Sequence, residues 1–215
     1  INGQPLTINW ADRNIPSILE AWFPGQLGGE AIAQTLFGDY NPGGRLSVTF
    51  PRSIGQIEFN FPFKPGSQDG QYFEGPNGSG RTRVNGALYP FGYGLSYTTF
   101  AYSNLSVKQE TPYSQSPVTV TVDVTNTGKR AGDEVVQLYI RDKVSSVIAY
   151  ESVLRGFERI SLQPGETKTV SFVLLPEDLQ ILDRHMEWTV EPGEFEVRIG
   201  ASSNDIKLKE TFVVK

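Results

Sequence analysis

Between Val118 and Val124 every second residue is valine, and Thr119, Thr121 and Asp123 fill the positions between them. A period of two puts alternate side chains on opposite faces, so the stretch reads as a strand with one apolar and one polar face. The alternation stops at the turn Asn126-Thr127-Gly128-Lys129-Arg130-Ala131-Gly132-Asp133 and resumes at Val136, Leu138 and Ile140. One further strand is expected ahead of it, at 105–107, and others follow at 153–157, 169–174, 187–190, 195–199 and 208–214. The turns Gln163-Pro164-Gly165-Glu166 and Glu191-Pro192-Gly193 punctuate the later ones. About seven or eight short strands at this spacing, over roughly 110 residues, predict an all-β sandwich spanning 101–215.

Residues 1–100 follow a different pattern. Ile15-Pro16-Ser17-Ile18-Leu19-Glu20-Ala21-Trp22-Phe23-Pro24-Gly25 is a nearly continuous apolar run closed by Pro-Gly, which suits a buried strand. After Gly28-Gly29, apolar residues at 32, 33, 36 and 37 fall on one helical face, and Gly38 is a helix stop. The turn cluster 39–44 precedes Arg45-Leu46-Ser47-Val48-Thr49-Phe50, which alternates like a strand before Pro51. Strand, helix and strand in this order form the unit of an α/β layer with parallel strands. One such unit cannot cover both faces of a sheet, so its neighbours are expected upstream of Ile1, and the chain is expected to be the C-terminal portion of a longer protein.

Two segments join these halves. Residues 51–87 are rich in glycine and proline without a clear period, which marks a long loop, and Tyr72, Phe73 and Glu74 stand out in it. Arg81 and Arg83 read as solvated charges on that loop. Residues 88–100, Leu-Tyr-Pro-Phe-Gly-Tyr-Gly-Leu-Ser-Tyr-Thr-Thr-Phe, carry five aromatic rings, a proline and two glycines. That is too rigid for a linker and too broken by glycine for a helix, and it reads as a packed joint.

Composition excludes several functions. The net charge is −5, divided as −1 over residues 1–100 and −4 over 101–215, and neither part has the basic stripe that nucleic acid demands. With no cysteine there is no disulfide, thiolate chemistry or Cys-ligated zinc. His185, the single histidine, has no G-x-S-x-G elbow to serve and sits in a polar turn beside Asp183 and Arg184, so a structural or exposed role is expected. No apolar run reaches the roughly 20 residues of a membrane-spanning helix, and the scattered carboxylates offer no metal-ligand spacing. Neither cofactor nor metal is expected. Asn77-Gly78-Ser79 and Asn104-Leu105-Ser106 have the pattern of glycosylation sequons.

Taken in order, these motifs resemble a known family. Ala21-Trp22-Phe23-Pro24-Gly25, Gly28-Gly29, Leu36-Phe37-Gly38-Asp39-Tyr40-Asn41-Pro42 and the run from Leu46 to Pro51 are similar to the end of the α/β sandwich domain of family 3 glycoside hydrolases. Residues 88–98 resemble the signature that leads out of that domain. The valine strand, Leu154-Arg155-Gly156-Phe157, Leu162-Gln163-Pro164-Gly165-Glu166 and Glu191-Pro192-Gly193 resemble the fibronectin type III-like domain that follows. The resemblance implies an α/β plus all-β chain: an incomplete α/β sandwich portion over 1–100, then a fibronectin III-like, immunoglobulin-like β-sandwich over 101–215.

It also implies the C-terminal portion of a retaining exo-β-glycosidase, β-glucosidase before β-xylosidase. Such chemistry needs an ionised and a protonated carboxyl about 5–5.5 Å apart. In the resembled enzymes the aspartate nucleophile sits in an N-terminal (β/α)8 barrel and the glutamate acid/base sits upstream of the Trp-Phe-Pro-Gly motif. No catalytic residue is therefore expected in this chain, and Glu30, Glu58 and Asp39 are read as structural. Tyr72, Phe73 and Glu74 are the residues expected to lie near substrate. The implied partners are the barrel and the upstream sandwich portion of the same enzyme, with a β-linked oligosaccharide as substrate, no nucleic acid and no membrane. A homodimer is compatible with it. A secreted or periplasmic location is expected. The competing reading is a non-catalytic carbohydrate- or partner-binding module, and it turns on Trp188, which is expected in the core rather than on the surface as a platform for sugar.

Overall fold

The computed structural model describes residues 1–56, 60–64, 86–113 and 116–215. Tyr72, Phe73, Glu74, Glu58, Arg81, Arg83 and the sequon at 77–79 lie outside the described residues.

The valine alternation forms the centre of a two-sheet sandwich. Strands β1 (Phe100–Gln109), β2 (Val118–Asn126) and β5 (Thr167–Leu174) make one sheet in the order β1-β2-β5. Strands β3 (Gly132–Asp142), β4 (Val153–Leu162), β8 (Gly193–Gly200) and β9 (Ile206–Val214) make the other, in the order β4-β3-β8-β9. All pairings are antiparallel. Non-consecutive neighbours such as β2 with β5 and β3 with β8 require chain crossings between the sheets, as in immunoglobulin-like sandwiches.

Val118, Val120, Val122 and Val124 are fully buried, and cross-strand register places Val120 opposite Val107 and Phe172. They meet Val136, Leu138 and Ile140 of β3 and Phe195, Val197 and Ile199 of β8 in one core. Burying each such side chain contributes roughly 1.5–3 kcal/mol, so the core supplies the sandwich's driving force.

On β3 the burial no longer alternates. Gln137 and Tyr139 point away from the core, yet they are as buried as Leu138, because residues of the first hundred lie across that outer face. The Phe61 ring meets Tyr139 edge-on with centroids 5.4 Å apart and stacks on Phe91 at 4.7 Å.

Ahead of the sandwich are two helices, α1 (Asn9–Asn14) and α2 (Gly28–Phe37). The expected helix is present and starts at Gly28, and Gly38 ends it with φ 84°, a left-handed conformation that glycine adopts without strain. Glu30 lies in its first turn, where negative charge suits the helix dipole, and Asp39 follows in a turn.

Four expectations need correction. Residues 15–24 form no strand and are largely exposed, because a parallel strand needs hydrogen-bonded neighbours and none of the described residues supplies them. Residues 45–50 do not pair with them either. They run antiparallel to the aromatic joint instead: Leu46 N–H donates to Tyr93 O, Gly92 N–H to Leu46 O, and Phe50 N–H to Tyr89 O, with one regular bridge at Phe50–Tyr89. The strand expected at 187–190 shrinks to β7 (Trp188–Thr189), paired with β6 (Ile181–Leu182) in a small ribbon outside both main sheets. Trp188 is 66% exposed and not part of the core, because the ribbon that carries it belongs to neither main sheet. His185 is exposed in the same turn, as expected.

Candidate functional site

Two features of the first hundred residues carry functional weight: a set of buried polar contacts that latches them onto the sandwich, and a group of exposed large apolar side chains.

The latch begins at the end of the sandwich where β2 finishes and β3 starts. Glu134 is in phase with Val136, Leu138 and Ile140, so its carboxylate points between the sheets. Arg45 enters there from outside and bonds it, NH2 to Oε2 at 2.9 Å, with both side chains almost fully buried. The Tyr102 hydroxyl of β1 donates to Glu134 Oε1 at 2.9 Å. Burial, the Glu134 charge and this hydrogen bond all push the Tyr102 hydroxyl pKa well above its ordinary value, so it keeps its proton and remains a donor. An ion pair this buried is not in itself strong support for stability, but removing one partner leaves a desolvated charge.

Around it, Asn41 joins three segments. Its Nδ2 donates to Ala131 O at 2.8 Å, and its Oδ1 accepts from Ser96 Oγ at 2.9 Å and Tyr97 N at 2.7 Å. Asn126, fully buried, accepts from Thr98 Oγ1 and Gly128 N and donates to Arg130 O and Leu162 O. All four of its hydrogen-bonding positions are therefore used.

Farther along β3, Gln137 Nε2 donates to Gly92 O at 3.1 Å and Ala201 O at 2.7 Å, and Gln137 Oε1 accepts from the Tyr139 hydroxyl. Gly92 has φ 82°, and a Cβ there would sit 2.0 Å from Gln137 Oε1, so the joint tolerates no side chain at this position. At the sheet edge, Arg159 bridges Asp133 and the Tyr40 hydroxyl. The Ser161 hydrogen bond, with Arg159, holds the Asp133 carboxyl below its usual range.

The second feature is the exposed apolar side chains of the first part. Trp10, Ile18, Leu19, Phe23, Leu27, Leu36 and Phe37 are all exposed, with Phe37 at 84% and Phe23 at 80%. The apolar residues expected on one face of α2 therefore do not form a core here; α2 buries only Gly28 and Thr35. Near α1 the Tyr89 hydroxyl donates to Asp12 Oδ1 at 2.7 Å, and burial and then Asp12 push its pKa up to about 12.

Among the described residues, a half-open cavity at the joint measures about 20 Å³ and is lined by Thr49, Asn60, Phe61, Phe63, Ala87, Pro90, Ser203 and Asn204, with no carboxylate. The raised pKa values along the joint belong to tyrosines that donate hydrogen bonds or are simply buried. Of the residues singled out in the sequence, Glu30 and Asp39 sit at the helix ends. The latch residues Arg45, Glu134, Tyr102, Asn41 and Gln137 were not singled out. Glu134 was legible in principle, since a carboxylate in the apolar phase of a strand requires a buried partner.

The arrangement is a strand-poor portion with exposed apolar side chains, latched by polar side chains to an immunoglobulin-like sandwich. The comparisons agree. The sequence model of the glycosyl hydrolase family 3 C-terminal domain matches residues 1–97, and that of the fibronectin type III-like domain matches residues 134–203. A β-xylosidase from Formosa agariphila is 48% identical over 212 residues, covering 97% of this chain and 28% of that protein. A periplasmic β-glucosidase from Salmonella typhimurium is 44% identical over 217 residues, covering 96% of this chain and 27% of that protein. A variant β-glucosidase from Listeria innocua, solved in complex with laminaribiose, superposes with a TM-score of 0.91 at 33% identity over all of this chain and 30% of its own. The chain belongs to glycosyl hydrolase family 3, corresponds to the C-terminal part of its β-glucosidases and β-xylosidases, and spans less than a third of the length of these relatives.

Proposed function

We propose that residues 1–215 are the non-catalytic C-terminal part of a retaining exo-β-glycosidase that removes terminal β-linked sugars from oligosaccharides, a β-glucosidase first and a β-xylosidase second. The observation that carries this reading is the uncovered apolar face of residues 6–37 on a chain that spans under a third of its relatives. That face is the inner side of a layer whose other strands come from the upstream part of the same enzyme. In this reading residues 1–100 finish the α/β sandwich, residues 101–215 brace it, and both catalytic carboxylates lie upstream, in the barrel and the earlier sandwich portion. Tyr72, Phe73 and Glu74 are the proposed substrate-adjacent residues of this chain. The periplasmic relative supports export as the location.

The test compares hydrolysis of aryl β-glucosides and β-xylosides by residues 1–215 alone, by the upstream part alone, and by the two mixed. The expected result is no turnover by 1–215 and recovery of activity on mixing. Turnover by 1–215 alone at the level of the whole enzyme overturns the reading. Phe37→Asp in 1–215 is expected to prevent recovery while leaving the sandwich folded.

A further inference from the structure

At the end of the sandwich away from the Arg45 latch, the loop between β3 and β4 encloses an open groove of about 380 Å³. That volume lies within the roughly 300–1,000 Å³ of small-ligand sites. We propose that this groove, together with the neighbouring β6–β7 ribbon, is a binding site for a neutral β-linked glycan, with Tyr150 and Trp188 as its stacking platforms.

The walls are built. Lys143 N–H donates to Glu194 O at 3.1 Å, and Lys143 Nζ meets Glu194 Oε1 at 2.6 Å. Ser146 donates both its N–H, at 2.8 Å, and its hydroxyl to the two oxygens of Glu191. That pair fixes the loop to the turn three residues after Trp188, so the groove and the ribbon share one end of the molecule. The floor is held by Arg141, which meets Glu151 Oε1 at 3.0 Å, and by Glu151 N–H donating to Phe63 O at 3.0 Å.

The groove's chemistry selects the ligand. Arg141 and Lys143 stand against four carboxylates, Asp142, Glu151, Glu191 and Glu194, and each cation is already paired, so an anion is disfavoured. Among the described residues no group of three or more potential ligands is arranged for a metal ion. Carboxylates and hydroxyls beside an aromatic ring do match vicinal sugar hydroxyls and the apolar face of a pyranose. Tyr150 is 44% exposed, its ring held from one side by Lys64 Nζ at 5.4 Å, and its hydroxyl makes no hydrogen bond among the described residues. Trp188, which the core does not use, is 66% exposed in the ribbon, three residues ahead of the Glu191 that anchors the loop. The glycan class rests on the proposed function; the existence of the site rests on the groove.

Affinity electrophoresis of residues 1–215 through gels containing xylan or mixed-linkage β-glucan tests the proposal, with a gel free of polysaccharide as control. Retardation by at least one polysaccharide is expected, and Tyr150→Ala and Trp188→Ala should each weaken it about fivefold to tenfold. Tyr150→Phe, which keeps the ring, should retain most of it. Absence of retardation in every gel overturns the proposal, and so does retardation that both alanine variants leave unchanged. If Tyr150→Ala fails to fold, Trp188→Ala decides alone, since that side chain is outside the core. Self-association through this end, read as a doubled mass abolished by Trp188→Ala without any retardation, also overturns it. Aryl glycoside turnover by the assembled enzyme should be unaltered by both variants, which separates failure of this site from failure of the proposed function.

Discussion

The two parts of the chain differ most in what covers their apolar side chains. Among the described residues, 17 of the 19 buried hydrophobic side chains lie in 101–215, and only Phe50 and Leu88 lie in 1–100. The first part is not short of apolar material; it exposes Trp10, Phe23, Leu36 and Phe37, among others. The sandwich closes on itself because its two sheets come from one continuous stretch. The first part stays open because, among the described residues, its segments form no sheet with one another beyond a single bridge at Phe50–Tyr89. A sequence can therefore be rich in core residues and still lack a core.

The largest test of that contrast is to separate the halves. Residues 100–215 alone are expected to unfold cooperatively on heating, followed by circular dichroism, whereas residues 1–99 alone should show no cooperative transition. A cooperative transition in 1–99 would mean that its apolar face closes without help.

Arg45→Ala comes next, because it strands the Glu134 carboxylate at the end of the core. We expect a loss of about 3–5 kcal/mol in chemical denaturation of 1–215. A loss below about 1 kcal/mol would show the latch to be dispensable, as surface pairs are.

Leucine truncations sharpen the comparison further. Leu138→Ala in the closed core should cost about 2–5 kcal/mol. Leu36→Ala, at a side chain 65% exposed, should stay within about 0.5 kcal/mol of the parent and instead weaken association with the upstream part. Equal destabilisation by the two would mean that the open face is already packed in the isolated chain.

The smallest effect expected is on acid stability at the sheet edge. The Asp133 carboxyl is held below its usual range by Ser161 and Arg159, so its contribution is present above the unfolded value of about 3.9 and is lost as pH falls through the lower folded value. Ser161→Ala should flatten the decline of melting temperature below about pH 4. The alkaline side has the opposite sign. The Tyr89 pKa, raised from 10.0 to about 12, contributes stability that is intact below pH 10.0 and lost as pH rises toward 12. Tyr89→Phe should remove that part of the alkaline decline.

Strand period, turn chemistry and the glycine stop at 38 were all legible along the chain, because each depends on residues within a few positions of one another. Val118 to Val124 could face only one way, and the α2 helix needed only its own periodicity and cap. The ordered motifs were likewise enough to indicate the family, and the lack of cysteine to exclude thiol chemistry. Three things required the tertiary structure: that 45–50 pairs with the aromatic joint rather than with 15–24, that Arg45 reaches Glu134 across 89 positions, and that Trp188 is left outside the core. Each depends on which distant segment arrives at a given surface. A local pattern states that a side chain is apolar or charged, but only the packed chain decides whether protein, water or a partner covers it.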